Sequence, residues 1–310
     1  MKRALLSLAS LLGVAAFASS CRSGDVQADP GRVPDFVPRE KASVFFVGHS
    51  LINFEMPKNA EVLARSLGLE LTWDAQIIDG APLEIHATHP ERSQSKRVDV
   101  ALPSGRYDTL VMTEAVPIDD MIRYRDPVRH AAAIARLASK GRPDARIFLH
   151  EVWMHRDRPR GNPFMKRVDW RRFLDDDLPK WEELADAIAE ETGHPIALLP
   201  AGRALGRLVD AMKAGAIPGL VEERDLFVDE VHLTPLGNHY VAAVTLAAVF
   251  QRSPVGGSGE VVDRDGRVLA ILPERTRDAL YHVAWQSIAT YARASTPPTP
   301  VERLAEEGVR

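Results

Sequence analysis

Residues 43–51, SVFFVGHSL, indicate how the folded chain begins, because their pattern is typical of a buried strand that runs into a turn. β-Branched and aromatic residues fill the stretch up to Gly48, and such a run is typical of a strand inside a sheet. Residues 55–67 follow with apolar side chains at helical spacing and end before Gly68, which predicts a helix. The folded part of the chain is therefore expected to begin as strand, turn and helix, with Ser50 on the turn.

The alternation of strand and helix patterns continues along the chain. Four further apolar runs predict strands, at residues 69–78, 107–112, 146–152 and 196–199. Amphipathic stretches predict helices at residues 127–140, 170–192, 201–214, 236–250 and 276–292. A small hairpin is expected around Asp263–Gly266, and Pro179 is expected to break or kink its helix. Strands that alternate with helices form parallel sheets, so we expect one α/β domain over residues 41–295 and a loose tail over 296–310.

The composition excludes several classes of protein. The 310 residues are 45% hydrophobic and 26% charged, which rules out disordered, collagen-like and coiled-coil chains. The net charge is −4, from 39 basic and 43 acidic residues, and no run of lysines and arginines stands out. We therefore expect no nucleic-acid partner, since binding to phosphates needs a basic surface. The single cysteine, Cys21, excludes an intramolecular disulfide and a zinc site built from cysteines.

The amino terminus has the features of a signal peptide over residues 1–20. A short basic segment precedes an apolar run at residues 4–17, and small residues lead to Cys21. Bacterial lipoprotein signals place their lipid-modified cysteine at this point, so the pattern predicts lipidation of Cys21 and a tether over residues 21–40. Cleavage after Ala18, which would leave a free thiol, is the alternative. We expect a periplasmic or cell-surface lipoprotein that is anchored to a membrane.

Polar residues gather where the predicted strands end, which is where open α/β sheets bind their ligands. Ser50 follows the first strand, at a turn where backbone N–H groups and a helix dipole favour developing negative charge. A serine needs a base to act as a nucleophile, and His232 is the candidate base. Asp229 lies three residues earlier and can orient the imidazole. Gly80 follows the second strand and lets a backbone N–H approach a substrate oxygen.

Each of these residues also has a purely structural interpretation. A serine after a strand commonly caps a helix, and an Asp-x-x-His pair commonly makes local hydrogen bonds. Asp79 and Gly80 together are typical of a turn. The order of the set along the chain, with its members at strand ends or just before a helix, favours the catalytic interpretation.

Residues 48–51 and 229–233 resemble the first and last sequence blocks of the SGNH, or GDSL-like, hydrolases. His49 stands where the family's first block has an aspartate. The resemblance covers about residues 43–250. It implies a flavodoxin-like, three-layer sandwich whose five parallel strands have the order 2-1-3-4-5.

The resemblance also implies a mechanism. Ser50 would be the nucleophile, His232 the base and Asp229 the carboxylate that orients it. The backbone N–H groups of Ser50 and Gly80 would form the oxyanion hole. The family implies no metal and no organic cofactor, and its substrates are O-acyl esters of sugars, polysaccharides and lipids, with related thioesters.

The end of the third strand departs from the family pattern. Family members usually place an asparagine there as an oxyanion donor, whereas this chain has Thr113 and Glu114. A subgroup of the family carries Gln-Glu at this place, and this chain is similar to it. Thr113 is then the candidate donor, through its hydroxyl group. An ionised Glu114 would oppose the oxyanion, so it must face elsewhere, be protonated or contact substrate.

Other residues near the strand ends are candidates for substrate binding. They are His49, Glu114, His150 and Trp153. Trp153 is placed to stack on a sugar, although a tryptophan is more often part of a core. A metal site built from four histidines is a further interpretation, but no spacing forces them together. These histidines are His86, His89, His150 and His155.

The patterns together predict an exported serine hydrolase that cleaves O-acyl esters, with acetylated carbohydrate as the expected substrate. The first alternative is a lipoprotein of the same fold that binds a glycan without turnover, because the asparagine is missing. The second is a metal-dependent hydrolase that uses the histidines, and chelators would inhibit it.

Overall fold

The computed structural model describes residues 37–156, 170–291 and 294–295. The predicted signal peptide, Cys21 and the predicted tail over 296–310 lie outside the described residues, as does most of the predicted tether. Within the described ranges, no helix has both the length and the apolar character that crossing a membrane requires.

A parallel sheet of five strands forms the centre of the fold, in the order β2-β1-β3-β4-β5. Its strands are β1 (Lys41–Gly48), β2 (Glu70–Ile77), β3 (Thr109–Met112), β4 (Arg146–Glu151) and β5 (Ile196–Pro200). The register brings the carboxyl ends of these strands to the same end of the sheet, since Gly48 pairs with Ile77 and Val47 pairs with Met112. The predicted α/β fold and strand order are confirmed.

In the part of the chain that the structure describes, three short strands lie outside the parallel set. β6 (Glu260–Val262) and β7 (Val268–Ile271) form an antiparallel hairpin around the predicted turn at Asp263–Gly266. β8 (Ala294–Ser295) pairs antiparallel with β5 and makes the sheet six-stranded. The sequence does not predict β8, because two residues are too few to show a strand period.

Helices cover the sheet in two groups. Among the described residues they are α1 (Glu55–Ser66), α2 (Leu83–Thr88), α3 (Val98–Ala101), α4 (Ile118–Tyr124), α5 (Pro127–Gly141), α6 (Trp170–Thr192), α7 (Ala201–Lys213), α8 (Pro235–Phe250) and α9 (Glu274–Ala289). α1, α7 and α9 pack around α8, and α2, α3 and α6 pack around α5. The short helices α2, α3 and α4 were not predicted. α8 is apolar on nearly all sides because almost every one of its residues is buried.

α6 continues past Pro179, so of the predicted break or kink the break is wrong, and the kink stays a prediction. A proline removes one backbone hydrogen bond and crowds the preceding turn of its helix. Side chains on both sides of it are buried in the core, among them Leu174, Leu178, Trp181 and Leu184. Their packing holds both halves of the helix on the core and offsets the lost hydrogen bond.

Candidate active site

Ser50 lies on a tight turn between β1 and α1. The carbonyl of His49 accepts hydrogen bonds from the N–H groups of Ile52 and Asn53, at 2.9 and 3.0 Å. Asn53 has a left-handed backbone (φ +35°), and its side-chain oxygen accepts from the N–H of Glu55 at 2.8 Å. This contact fixes where α1 begins and therefore how the turn presents Ser50.

Gly48 lets the end of β1 lie close against β3, just before the turn. A Cβ at this position would stand 2.9 Å from Cγ2 of Thr113 and 3.0 Å from Cδ1 of Ile52. A larger residue would therefore displace the end of β1 and the turn that follows it.

His232 and Asp229 lie on a loop before α8, which we call the His232 loop (residues 227–233). Its two ends are joined by an antiparallel bridge between Phe227 and Leu233. Asp229 Oδ1 accepts hydrogen bonds from the backbone N–H groups of Val231 and His232, at 2.8 and 2.7 Å. The loop therefore closes around one oxygen of its own carboxylate.

The side chains of Ser50, His232 and Asp229 form one hydrogen-bonded chain. Ser50 Oγ lies 3.0 Å from His232 Nε2, and His232 Nδ1 lies 2.7 Å from Asp229 Oδ2. Because the carboxylate accepts the Nδ1 proton, we assign Nε2 as the acceptor for the serine hydroxyl. The N–H of His232, then that of Val231 and the His232 ring, hold the pKa of Asp229 well below its usual range. The carboxylate is therefore ionised at neutral pH.

Two side chains from the segment after β4 support the His232 loop. Trp153 is fully buried and donates its indole N–H to the carbonyl of Val231 at 2.7 Å. Arg156 donates to the carbonyl of Asp229 at 2.8 Å, and its guanidinium lies 4.6 Å from the centre of the Phe227 ring. The predicted substrate-binding role of Trp153 is thus corrected, because its indole is enclosed in the core. Nothing in the sequence pattern marks either residue as a support for this loop.

The predicted oxyanion donors divide into free and engaged groups. The hydroxyl of Thr113 is buried and donates to the carbonyl of His150 at 2.7 Å. Because its one hydrogen is used there, the prediction that Thr113 donates to the oxyanion is corrected. The backbone N–H groups of Ser50 and Gly80 have no hydrogen-bond partner among the residues that the structure describes. Gly80 has φ +66° and open space where a Cβ would be.

The other predicted substrate-binding residues are buried in the protein and do not line the pocket. His49, Glu114 and His150 are at most 4% exposed, so their predicted contacts with substrate are corrected. Burial lowers the pKa of His49, and it lowers that of His150 to about 3, so the His150 ring is neutral. His49 Nε2 lies 3.2 Å from the carbonyl oxygen of Glu114, which ties the turn to the end of β3.

The Glu114 side chain faces away from the reacting atoms. Its Oε1 accepts from the N–H groups of Leu83 and Ala115, at 3.1 and 2.6 Å. Burial raises its pKa to about 7, although these two hydrogen bonds act in the opposite direction. Of the three possibilities left open for this residue, the structure supports facing elsewhere, with partial protonation near neutral pH.

A pocket of about 290 Å³ opens beside Ser50 and His232. Its remaining lining residues are Asn53, Phe54, Glu55, Ile77, Asp79, Gln94, Leu233, Asn238 and Arg264. Sequence reasoning missed nearly all of them, because they come from distant segments that only the fold brings together. Among the described residues, no group of three or more His, Cys, Asp or Glu is arranged to hold a metal ion. Of the four histidines considered for a metal, His86 and His150 are buried, whereas His89 and His155 are exposed.

No family model and no curated protein matches the chain. Among solved structures, it is similar to a DUF4886 family protein from Bacteroides uniformis, with 15% identity and a TM-score of 0.54, over 80% of this chain and 95% of that one. It is also similar to a carbohydrate esterase family 3 protein from Talaromyces cellulolyticus, with 12% identity and a TM-score of 0.41, over 65% and 92%. A GDSL-like lipase from Bacteroides thetaiotaomicron has 15% identity and a TM-score of 0.34, over 68% and 86%. At these identities the likeness concerns the fold alone, and the structures that the chain resembles include GDSL-like lipases and carbohydrate esterases.

Proposed function

We propose that this chain is a serine hydrolase that cleaves O-acyl esters. The observation that carries the proposal is the hydrogen-bonded chain from Ser50 through His232 to Asp229, at the carboxyl edge of the sheet. A hydroxyl, an imidazole and an ionised carboxylate in this order activate the hydroxyl for attack on a carbonyl carbon. The fold supports the same reaction class only by analogy.

The proposed reaction has two halves that share one acyl-enzyme. Ser50 Oγ attacks the ester carbonyl while His232 Nε2 takes the hydroxyl proton, and the N–H groups of Ser50 and Gly80 stabilise the oxyanion. His232 then gives the proton to the leaving alcohol, and the acyl group stays on Ser50. In the second half, His232 takes a proton from water, the resulting nucleophile attacks the acyl carbon, and the acid leaves as the serine is restored.

The pocket favours a small acyl group on a polar alcohol. Most of its lining side chains carry hydrogen-bonding groups, and its volume is about 290 Å³. Carboxylates and amides bind hydroxyl groups well, whereas a long acyl chain needs an apolar channel. We therefore propose acetylated carbohydrate as the substrate class. The amino-terminal pattern supports export and a membrane anchor at Cys21, so the substrate would belong to the cell envelope or its surroundings.

The first test is labelling by a serine-reactive fluorophosphonate, read as the intact mass of residues 22–310. We expect one adduct on the parent protein and none on Ser50→Ala or His232→Ala, because the reaction needs both the nucleophile and its base. Circular dichroism establishes that each variant is folded. A folded parent that takes up no label would contradict the proposal, and loss of ester cleavage in a chelator would favour a metal-dependent hydrolase instead.

The alternative function is glycan binding without turnover. It is favoured by one observation: the Thr113 hydroxyl is engaged, so no side chain at the end of β3 donates to an oxyanion. The loss of a single oxyanion donor costs about 10²–10³ in rate in another hydrolase. An unlabelled parent that still binds an acetylated oligosaccharide in calorimetry would support this function.

A further inference from the structure

The turn of the β6–β7 hairpin reaches into the pocket beside Ser50. Arg264, at this turn, is a lining residue, and its guanidinium carbon lies 4.9 Å from the centre of the Phe54 ring. Phe54 belongs to the turn that carries Ser50, immediately before α1. A cationic side chain is thus held over the same turn as the nucleophile.

Hydrogen bonds hold the backbone of the hairpin turn and therefore the point from which the Arg264 side chain extends. Asp263 Oδ1 accepts from the N–H groups of Asp265 and Arg267, at 3.0 and 2.8 Å. The backbone of Asp263 also exchanges hydrogen bonds with Gly266 and Arg267, each at 3.0 Å. Four hydrogen bonds around one residue leave the turn few alternative conformations.

A buried polar network fastens the hairpin to the helices that carry the site. Asn59 of α1 donates to the carbonyl of Val262 at 2.8 Å and accepts from its N–H at 3.0 Å. His239 Nδ1 of α8 lies 3.0 Å from the same Asn59 oxygen, and its Nε2 lies 2.8 Å from the Tyr281 hydroxyl. Asn59, His239 and Tyr281 are at most 1% exposed. The position of the hairpin is therefore set by the core.

Arg264 is exposed, and among the described residues that line the pocket it is the one lysine or arginine. Two carboxylates also line the pocket, and each accepts a hydrogen bond from an amide: Asn238 to Glu55 at 3.1 Å and Gln94 to Asp79 at 2.8 Å. Arg264 has no hydrogen bond or ion pair with the residues that the structure describes, and its guanidinium lies over the Phe54 ring. A neutral polyol needs no such cation, whereas a carboxylate matches the planar fork of a guanidinium.

We propose that Arg264 binds a carboxylate of the substrate, so that the preferred substrates are O-acylated acidic sugars. The proposal rests on the proposed function and narrows its substrate class. Arg264 is then a specificity-determining residue at the alcohol side of the ester, supplied by a hairpin that the core holds in place.

The test compares two acetyl esters that differ in this one charge: an O-acetylated methyl glucuronoside and the matching O-acetylated methyl glucoside. We expect the parent to prefer the acidic ester by roughly tenfold in kcat/KM, the size of one charge-assisted hydrogen bond. Arg264→Gln is expected to bring the ratio towards one, mainly through KM, and Arg264→Lys to retain part of it. Arg267→Gln removes a charge from the same turn outside the pocket and should keep the parent's ratio.

Failure of the Arg264 proposal and failure of the proposed hydrolase function give different results. If both esters are cleaved with equal kcat/KM, or Arg264→Gln keeps the parent's ratio, the role of Arg264 is overturned while the hydrolase function stands. If Ser50 takes no label and neither ester is cleaved, the proposed function fails, and binding of glucuronate in calorimetry tests Arg264 alone. Binding that weakens roughly tenfold in Arg264→Gln supports the inference, and absence of binding overturns it.

Discussion

Asp229 uses its two oxygens for different purposes. Oδ1 holds the backbone of the His232 loop, and Oδ2 accepts from the imidazole. The carboxylate is 52% exposed, so its Coulomb attraction to the ring is largely screened by water. Its contribution to the proposed chemistry is therefore orientation of the ring and choice of tautomer.

Asp229→Asn tests this interpretation. The amide oxygen can keep accepting from the loop backbone, while the amide nitrogen faces Nδ1 and makes Nε2 the protonated nitrogen. We expect kcat for ester cleavage to fall by roughly 10³–10⁴ with little change in KM. Glu230→Gln, which removes a charge from the same loop, serves as the control. An Asp229→Asn variant with the parent's kcat would show that this carboxylate does not orient the base.

Glu114 makes the stability of the folded chain depend on pH. Its pKa is raised from an ordinary 4.5 to about 7 by burial. Between these values the folded chain holds a proton that the unfolded chain has released, so the free energy of unfolding falls as pH rises. Glu151, with a pKa raised to about 8 by burial, acts in the same direction.

Glu114→Gln is expected to flatten this dependence. Glutamine keeps an oxygen for the N–H groups of Leu83 and Ala115 and carries no charge. Between pH 5 and pH 8, the free energy of unfolding should fall by up to about 3 kcal/mol less in the variant than in the parent. This figure follows from a pKa difference of 7 − 4.5. Guanidinium denaturation at both pH values measures it. Parallel curves for parent and variant would mean that Glu114 is already ionised at pH 5.

At the scale of elements, the His232 loop depends on the segment after β4. The two are far apart in the chain, yet Trp153 and Arg156 donate to the carbonyls of Val231 and Asp229. These contacts fix the loop's backbone, and the backbone fixes where the imidazole stands relative to Ser50. A positioning role of this kind should show in turnover more than in substrate binding.

Trp153→Phe separates the hydrogen bond of this residue from its packing. The smaller ring stays apolar and loses the N–H that binds the Val231 carbonyl. We expect kcat to fall by roughly tenfold with KM nearly unchanged, since a small misplacement of a catalytic group slows the chemical step. Trp73→Phe is the matched control, because it loses an indole hydrogen bond to Glu61 instead. Equal effects of the two variants on kcat would contradict the positioning role.

At the scale of the whole molecule, the sheet could be predicted because its strands are buried and read as apolar runs. Residues 44–47 of β1 are at most 1% exposed, which is why no polar residue interrupts them. Ser50, Asp229 and His232 could be named because they stand in short motifs beside strand or helix ends. The pocket could not be predicted, since the position of Arg264 depends on buried contacts of Asn59 with a distant hairpin.

The errors have a common physical cause as well. Thr113 was expected to serve the oxyanion, but whether a hydroxyl finds a carbonyl in the next strand depends on packing and not on its own motif. Pro179 was expected to break or kink α6, but the helix continues past it, because burial of side chains on both sides outweighs the local preference against proline. In each case, packing against residues that are distant in the sequence determined the structure, and the local sequence alone could not predict it.

Because the five central strands are parallel, all their amino ends lie at one end of the sheet and all their carboxyl ends at the other. β1 spans roughly 25 Å from Lys41 to Gly48, and Ser50 follows at its carboxyl end. The chain therefore enters the sheet at Lys41, at the end of the strands that lies opposite the pocket. The pocket opens where the parallel strands end, so a substrate reaches Ser50 from the side of the sheet that lies away from the start of β1.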